Sequence, residues 1–314
     1  MPFFSIIIPL YNKEKHIANT IQSALDQIFT DYELIIINDG STDGSEKIVK
    51  RFHDNRIHYF YTENNGVSNT RNLGIEKSNG KLIAFLDADD FWYPNHLEIL
   101  SRLFKKFPNA GLYSTSYEKR FNQKSVLIAS FKNITATSKS FKILDDFFES
   151  SSIDSIASSS VSAVPKNILI SLNGFDPKIT HGEDTDLWIR IALKYQVAFA
   201  TYITAVHNLD ASNRSKQVHI AEKKFLNFSK FKKEELTNLS LKKYLDSNRH
   251  SIALQYRAAG DFDTAKKYTN NIDYKNLNWK HQFLIRQPRV ILIILKKIQI
   301  TITDFFGIHL SSFK

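Results

Sequence analysis

Short apolar segments alternate with amphipathic segments along the first ninety residues. The apolar segments predict four buried strands, at 5–11, 32–38, 57–61 and 81–86. Between them, apolar residues recur at three- and four-residue steps, which is the spacing of helices that bury one face. Strands that alternate with helices of this kind form parallel sheets covered on both faces. The pattern therefore predicts an α/β fold with a doubly wound, mostly parallel sheet.

After the fourth predicted strand the pattern changes. Residues 111–165 mix short β-like stretches with a serine-rich segment, which indicates loops and edge strands rather than a domain boundary. An amphipathic helix is predicted at 183–195, and from about residue 221 the chain is helical. A length of 314 residues exceeds that of a typical single domain. We therefore expect two domains, a sheet domain at 1–215 and a basic helical region at 216–314.

Positive charge is concentrated in the C-terminal third of the chain. The whole chain has a formal net charge of +10, and residues 214–314 alone hold 20 Lys and Arg against 8 Asp and Glu. Such asymmetry is typical of a segment with an anionic partner, a membrane or a nucleic acid, and also of a basic soluble tail. Nucleic acid is the less favoured partner, because the basic residues are scattered and match no known binding motif.

The predicted helix at 288–306 contains an apolar run at 290–295. This run is too short to span a bilayer, which takes ~20 apolar residues. Arg286, Arg289 and two adjacent lysines beside the run would suit a segment, 286–306, that lies on an anionic membrane surface. Docking of this helix against the sheet domain is the alternative, and the sequence leaves both open.

Several functional classes are excluded by what the sequence lacks. The chain has no cysteine, which excludes disulfides and thiolate metal sites and leaves oxygen and imidazole ligands. It has no G-x-G-x-x-G motif, no G-K-[ST] loop and no nucleophile elbow, so a dinucleotide site, a P-loop and a serine hydrolase are not expected. The first residues lack the features of a signal peptide. We expect a cytoplasmic protein, peripheral on the inner face of the membrane if the tail binds lipid.

Three carboxylates follow the fourth predicted strand within four residues, at Asp87, Asp89 and Asp90. In open α/β sheets, ligands bind at the carboxyl ends of strands. Carboxylates so close together repel one another unless something positive lies between them, and a divalent cation such as Mg²⁺ or Mn²⁺ is the usual group. Asp89 is the candidate for a metal bound through a diphosphate, whereas Asp87 could reach a ribose hydroxyl. A solvated acidic turn is the alternative.

Two further segments carry candidate nucleotide-binding groups. Asp39 follows the second predicted strand, where a carboxylate can accept a hydrogen bond from the N–H of a pyrimidine base. Residues 64–72 lead through a glycine turn into a helix start, and Arg71 on that helix suits a diphosphate. An ordinary turn and an ordinary capped helix are the alternatives.

Candidate catalytic groups stand at the start of the helix predicted at 183–195. The helix macrodipole favours ionised carboxylates there, and a general base must be ionised, so Glu183 and Asp184 are candidates for that role. A helix N-cap is the alternative for these acidic residues. Further along, His207 could complete a metal shell, contact a diphosphate or serve the structure alone.

Taken in order, these segments resemble glycosyltransferase family 2. The resemblance implies the GT-A fold, a Rossmann-like, mostly parallel sheet flanked by helices, here with a C-terminal helical extension. It covers roughly residues 4–215. Its specific parts are the sequences SIIIPLYN, IIINDGSTDGS, NNGVSNTRNLGI, GKLIAFLDADD, and GFD with GEDTDLWIR.

The resemblance implies a nucleotide-diphospho-sugar donor, most often linked to UDP, bound across the N-terminal half. The substrate-binding residues that it implies are Pro9, Tyr11, Asp39, Asn65, Arg71 and Asp87. In this set, Pro9, Tyr11 and Asp39 would frame the base, Arg71 would lie near the nucleotide, and Asp87 would open the D-x-D pair.

The resemblance also implies a metal and a base. Asp89 and His207 would hold Mn²⁺ or Mg²⁺, and Asp184, next to Glu183, would be the catalytic base. Relatives often carry an arginine two residues before the histidine, where this chain has Ala205. Arg214 and Lys216 are the basic side chains that could replace this arginine.

The implied reaction is an inverting transfer of sugar to an acceptor hydroxyl, on a glycan or lipid-linked acceptor, in surface-polysaccharide synthesis. One rival is a catalytically silent protein that keeps the fold and binds membrane through its basic tail. A second rival is a metal-dependent phosphohydrolase. It is disfavoured because such enzymes place an aspartate at the first strand, and the first strand here ends in Pro-Leu-Tyr-Asn.

Overall fold

The computed structural model describes residues 1–122, 125–135, 139–211 and 218–306, with the side chains of 304–306 left out. Arg214 and Lys216 lie outside these residues. The strands are β1 (Phe4–Leu10), β2 (Tyr32–Asp39), β3 (Ile57–Thr62), β4 (Leu82–Phe85), β5 (Phe91–Trp92), β6 (Leu112–Arg120), β7 (Val126–Ile128), β8 (Phe141–Ile143), β9 (Ser162–Pro165) and β10 (Val197–Asn208).

The helices alternate with these strands in the first half of the chain and follow one another in the last third. They are α1 (Ile17–Leu25), α2 (Ser45–Val49), α3 (Val67–Lys77), α4 (His96–Lys106), α5 (Phe147–Ser150), α6 (Lys166–Ser171), α7 (Glu183–Ala192), α8 (Lys232–Thr237), α9 (Leu239–Ala259), α10 (Phe262–Thr269), α11 (Trp279–Arg286) and α12 (Arg289–Phe306). The four strands predicted at the start of the chain are confirmed as β1 to β4.

One sheet runs in the order β3-β2-β1-β4-β9-β6-β10-β5, with β7 beside β6 and β8 beside β10. Strands β3, β2, β1 and β4 are mutually parallel, and β6 is parallel to β10. Between these two parallel groups lies β9, which is antiparallel to both neighbours. It forms three residue pairs with β4 and two with β6. The predicted α/β class with a mostly parallel sheet is confirmed.

The prediction of loops and edge strands at 111–165 is wrong for two strands, β6 and β9, which lie inside the sheet. Several of their buried positions carry hydroxyl side chains beside apolar ones, so the segment looks more polar in sequence than a buried strand usually does: Ser114, Thr115, Ser116 and Ser162. Ser114 donates a hydrogen bond of 2.6 Å to the carbonyl of Ile156, and Thr204 on β10 donates one of 2.7 Å to Thr115. Because these hydroxyls are paired, burying them costs little.

Helix α3 lies unusually close to the centre of the sheet. A Cβ atom on Gly74 would lie 2.5 Å from Cγ2 of Ile7, a buried residue of β1. The lack of a side chain at this position therefore lets α3 pack closely on β1. This contact places the N-terminus of α3 next to the carboxyl ends of β1, β2 and β4.

The C-terminal helices are organised around α9. Helices α8, α10, α11 and α12 all contact it, and α10 follows it through a turn at Gly260-Asp261. Asp246 on α9 is fully buried and accepts hydrogen bonds from Lys242 and from Arg249.

In the described part of the chain, no helix combines the length and the apolar character needed to cross a bilayer. The division into domains at 215 stays a prediction.

Candidate active site

A cleft of about 460 Å³ opens at the carboxyl ends of β1, β2 and β4. The N-termini of α3 and α7 form its other walls. The predicted site residues that line it are Pro9, Tyr11, Asp39, Arg71, Asp87, Asp89, Glu183 and Asp184. Parallel strands bring their carboxyl ends to one edge of the sheet, which is why residues so far apart in sequence meet here.

Asp39 fixes the turn that leads into α3. Its side chain is buried, and its two oxygens accept hydrogen bonds from the backbone N–H groups of Asn65, at 2.8 Å, and Gly66, at 3.0 Å. Gly66 has φ of 84°, a conformation that favours glycine. Asn65 lines an adjoining hollow of about 300 Å³ and is not among the described residues that line the cleft. Asp39 therefore connects the end of β2 to the start of α3.

The acidic segment after β4 already has basic partners. Oδ1 of Asp87 accepts a hydrogen bond of 2.7 Å from Arg71, and Oδ2 of Asp89 lies 2.8 Å from Nζ of Lys13. Lys13 was not among the predicted site residues. Lys13 comes three residues after the end of β1, and Asp39 is the last residue of β2. Its position near a strand end could therefore have marked Lys13 as a candidate site residue.

Asp90 points away from the cleft and anchors this segment. It accepts hydrogen bonds from the hydroxyl of Ser160, at 2.6 Å, and from the backbone N–H of Asn208, at 2.8 Å. Burial, with the nearby charges of Asp89 and Asp87, raises the pKa of Asp90 well above its usual range. The anchoring role of Asp90 follows from contacts with residues 70 and 118 positions away, for which the sequence has no local signal.

Arg71 connects three elements. Its side chain is 4% exposed, and its guanidinium donates hydrogen bonds of 2.7 Å to Asp87 and to Glu183. The guanidinium also lies over the ring of Phe175, at 5.1 Å from the centroid. Arg71 on α3 thereby joins the segment after β4 to the first turn of α7.

Asp184 lies in the first turn of α7, whose N-cap is Gly182. Neither Glu183 nor Asp184 is the N-cap, so the capping alternative is wrong for both. Burial raises the pKa of Asp184 to about 6, the charge of Glu183 adds to the rise, and Arg71 opposes it. A carboxylate with this pKa is ionised at neutral pH and accepts a proton more readily than an ordinary aspartate, as a general base must.

His207 lies behind the acidic segment. Its ring stacks on Tyr117 with centroids 4.4 Å apart, and its Nε2 is 2.9 Å from the hydroxyl oxygen of Ser158 and 3.8 Å from Oδ2 of Asp90. It is not among the described residues that line the cleft. Ala205, two residues earlier, is buried in β10 and pairs with Trp92. The role of His207 as a metal ligand stays a prediction.

The described residues contain no group of three or more His, Asp or Glu side chains arranged to hold a metal. The cleft offers the carboxylates of Asp87 and Asp89, each paired with a basic side chain. Mg²⁺ commonly binds proteins through one or two carboxylates and completes its shell with water and substrate phosphates. The donor set therefore fits a cation that is shared with a bound diphosphate, and does not fit a metal held by protein alone.

Comparisons with known proteins agree with this geometry. Residues 5–152 match the family model described as glycosyl transferase family 2. An uncharacterized glycosyltransferase of Rickettsia typhi is 30% identical over 215 residues, which are 68% of this chain and 66% of that protein. One of Rickettsia bellii is 34% identical over 189 residues, and there the matched part is 60% of this chain but only 26% of the relative.

The fold has a solved counterpart. The structure of S. aureus TarS 1–349 in complex with UDP-GlcNAc superimposes with a TM-score of 0.59 over 97% of this chain and 92% of that one, at 14% identity. At this identity the likeness speaks for the fold, which is GT-A with C-terminal helices. The match over residues 5–152 shows that this part of the chain belongs to glycosyltransferase family 2.

Proposed function

We propose that the protein transfers a sugar from a UDP-linked donor to an acceptor hydroxyl, with inversion at the anomeric carbon. The observation that carries the proposal is that one cleft holds Asp39, the two carboxylates of the D-x-D segment and a buried aspartate, Asp184, with a raised pKa. The solved TarS complex with UDP-GlcNAc supports UDP as the carrier.

Donor binding is assigned to the strand ends. Pro9 and Tyr11, at the end of β1, would frame the base together with Asp39, and Asp87 would reach the ribose. Asn65 would act through the turn that its N–H forms with Asp39. A Mn²⁺ or Mg²⁺ ion between Asp89 and the donor diphosphate would neutralise the charge of the leaving group. Lys13 adds a positive charge at the same carboxylate.

Asp184 supplies the base in a single displacement. It removes the proton from an acceptor hydroxyl as the oxygen forms a bond to the anomeric carbon. The bond from that carbon to the diphosphate breaks, and the nucleoside diphosphate leaves with the electron pair. Attack from the face opposite the leaving group inverts the anomeric configuration, as in an inverting glycosidase with the acceptor in place of water.

A thermal-shift screen of nucleotides tests donor binding, and an assay of sugar transfer to an acceptor then tests the reaction. UDP and UDP-sugars are expected to raise the melting temperature more with Mn²⁺ than without it, since ligands that bind only the folded state stabilise it. ADP and GDP serve as controls. In Asp89→Asn, the dependence on Mn²⁺ should fall while UDP still binds. The assignment of the donor would be overturned if no nucleotide raised the melting temperature, or if UDP, ADP and GDP raised it equally.

We further propose that α12 lies on anionic membrane, where a lipid-linked acceptor would be found. Four of its exposed apolar residues are spaced for one face of the helix, Val290, Ile291, Ile294 and Ile298, and a fifth, Ile300, lies off that face. Leu292 and Thr303 are buried, and α12 packs on α9. Lys297 is exposed beside this apolar face, whereas Lys296, also exposed, lies on the opposite side of the helix. A helix with exposed isoleucines and an adjacent lysine suits a negatively charged lipid surface.

Flotation with vesicles checks this proposal. The protein is expected to float with phosphatidylglycerol vesicles and at least about five-fold less with phosphatidylcholine vesicles or in Ile294→Glu/Ile298→Glu, because each acidic substitution is repelled by anionic lipid. Ile170→Glu/Leu236→Glu adds the same charge at two exposed apolar positions elsewhere and should float like the wild type. Equal flotation of all three proteins would refute the proposal. A change of oligomeric state without a change in flotation would assign the face to a subunit interface instead.

A further inference from the structure

Two side chains from the C-terminal third contact α7, the helix that carries Asp184. One is Lys230, which lies in a short 3₁₀ helix at Phe228–Phe231, and the other is Tyr244 on α9. We infer that Lys230 and Tyr244 are positioning residues for the Asp184 carboxylate, given the transfer reaction proposed above. Neither residue lines the cleft among the described residues, so each acts through a neighbour.

Lys230 acts on the first turn of α7 through Asp186. Its ammonium forms a close ion pair with the Asp186 carboxylate and lies 3.8 Å from Asp176. The side chain of Asp186 is fully buried and also accepts a hydrogen bond of 2.8 Å from Arg190, one turn further along the helix. Asp186 is thus a buried charge with one partner inside α7 and one outside it. Loss of the outside partner would leave the helix start free to shift, since removing one partner of a buried charge is costly.

Tyr244 acts through Thr185. Its side chain lies close enough to that of Thr185 for the two to interact, and its ring lies 5.8 Å from that of Phe148 on α5. Thr185 donates its backbone N–H to Oδ1 of Asp184 at 2.6 Å, and its hydroxyl lies 3.4 Å from the same oxygen. Tyr244 on α9 therefore lies next to Thr185, the residue that donates a hydrogen bond to the proposed base.

The contacts of Lys230 and Tyr244 restrain α7 at two positions next to Asp184. Lys230 fixes the residue two positions after Asp184, and Tyr244 fixes the residue directly after it. A general base must lie within hydrogen-bond reach of the acceptor proton, and a misplacement of about 1 Å can cost ~10²-fold in rate. The C-terminal region would then contribute to the chemical step as well as to the fold, which a boundary at residue 215 does not predict.

Steady-state kinetics on the full chain test the inference. Lys230→Met is expected to lower kcat for transfer about 10–100-fold, with KM for the donor and Kd for UDP within about three-fold of the wild type. Lys230→Arg should restore most of the kcat, because it keeps the charge that Asp186 needs. Tyr244→Phe removes one hydroxyl and should lower kcat about 3–10-fold. Lys233→Met, at an exposed position three residues further on, is the matched control and should behave like the wild type.

The outcomes separate the inference from the proposed function. A wild-type protein with no transfer activity overturns the function. Active wild type with unchanged kcat in folded Lys230→Met and Tyr244→Phe overturns the positioning roles. Equal losses of kcat and of UDP affinity would also overturn them, since that result means general loss of structure. If Lys230→Met does not fold, the kcat values of Tyr244→Phe and Lys230→Arg test the positioning roles instead.

Discussion

Replacement of Asp184 with Asn is expected to lower the turnover of sugar transfer by about 10²–10⁴-fold, the range typical for the loss of a general base. Asparagine has nearly the same shape as aspartate, and its carbonyl oxygen can still accept the N–H of Thr185. Its amide cannot take a proton from an acceptor hydroxyl at neutral pH. Affinity for UDP should change little, because the nucleotide is assigned to the strand ends.

Initial rates across pH measure the effect of Asp184. In the wild type, transfer should fall as the pH drops below about 6, because the carboxylate whose pKa burial and Glu183 raise to about 6 becomes protonated and cannot act as a base. Arg71 faces the same group and keeps its charge over this range, because its pKa is raised above its already high ordinary value. Asp184→Asn should lose this acid limb, whereas Asp263→Asn, at an exposed position on α10, should keep it. Near wild-type turnover in Asp184→Asn would remove the assignment.

Replacement of Arg71 with Met should lower the free energy of unfolding by about 3 kcal/mol, the lower end of the range for breaking a buried ion pair. The side chain is 4% exposed and holds Asp87 and Glu183 at 2.7 Å each. Without it, two carboxylates near Asp184 face one another with no positive group between them. The lower end applies because Asp87 is partly exposed and water screens part of its charge.

Urea unfolding of a short variant series measures the role of Arg71. Arg71→Lys should lose less of the free energy of unfolding than Arg71→Met, since lysine keeps the charge. Some loss remains, because an ammonium cannot bond both carboxylates with the geometry of a guanidinium. Arg71→Met combined with Asp87→Asn and Glu183→Gln should recover part of the stability, because the repulsion is then absent. A loss below about 0.5 kcal/mol in Arg71→Met would mean that the connection contributes little, as exposed ion pairs do.

The sequence predicts the first half of the fold well for a physical reason. Strands buried on both faces are mostly apolar, so β1, β2 and β4 each contain an uninterrupted apolar run, at 6–10, 34–37 and 82–85. Chemistry at the carboxyl ends of such strands is then predictable too, and Asp39, Asp87 and Asp89 do meet in one cleft. The positions of these side chains follow from sheet topology alone.

Other parts of the site depend on contacts that no local pattern encodes. The inner strand β6 buries hydroxyl groups that pair with distant partners, so its sequence resembles a loop. The direction of Arg71, inward to two carboxylates rather than outward to solvent, depends on Glu183, 112 residues away. The contacts of Lys230 and Tyr244 with α7 join segments that hydrophobic periodicity treats separately.

The short strand β9 has a mechanical consequence for the whole sheet. Among the described residues, the two parallel groups of strands are hydrogen-bonded to each other only through β9, a four-residue seam. Nine residue pairs join β6 to β10, against three and two on the flanks of β9. The sheet should therefore open first along the seam, and its slow-exchanging amide protons should fall into two kinetic groups, one on each side of β9.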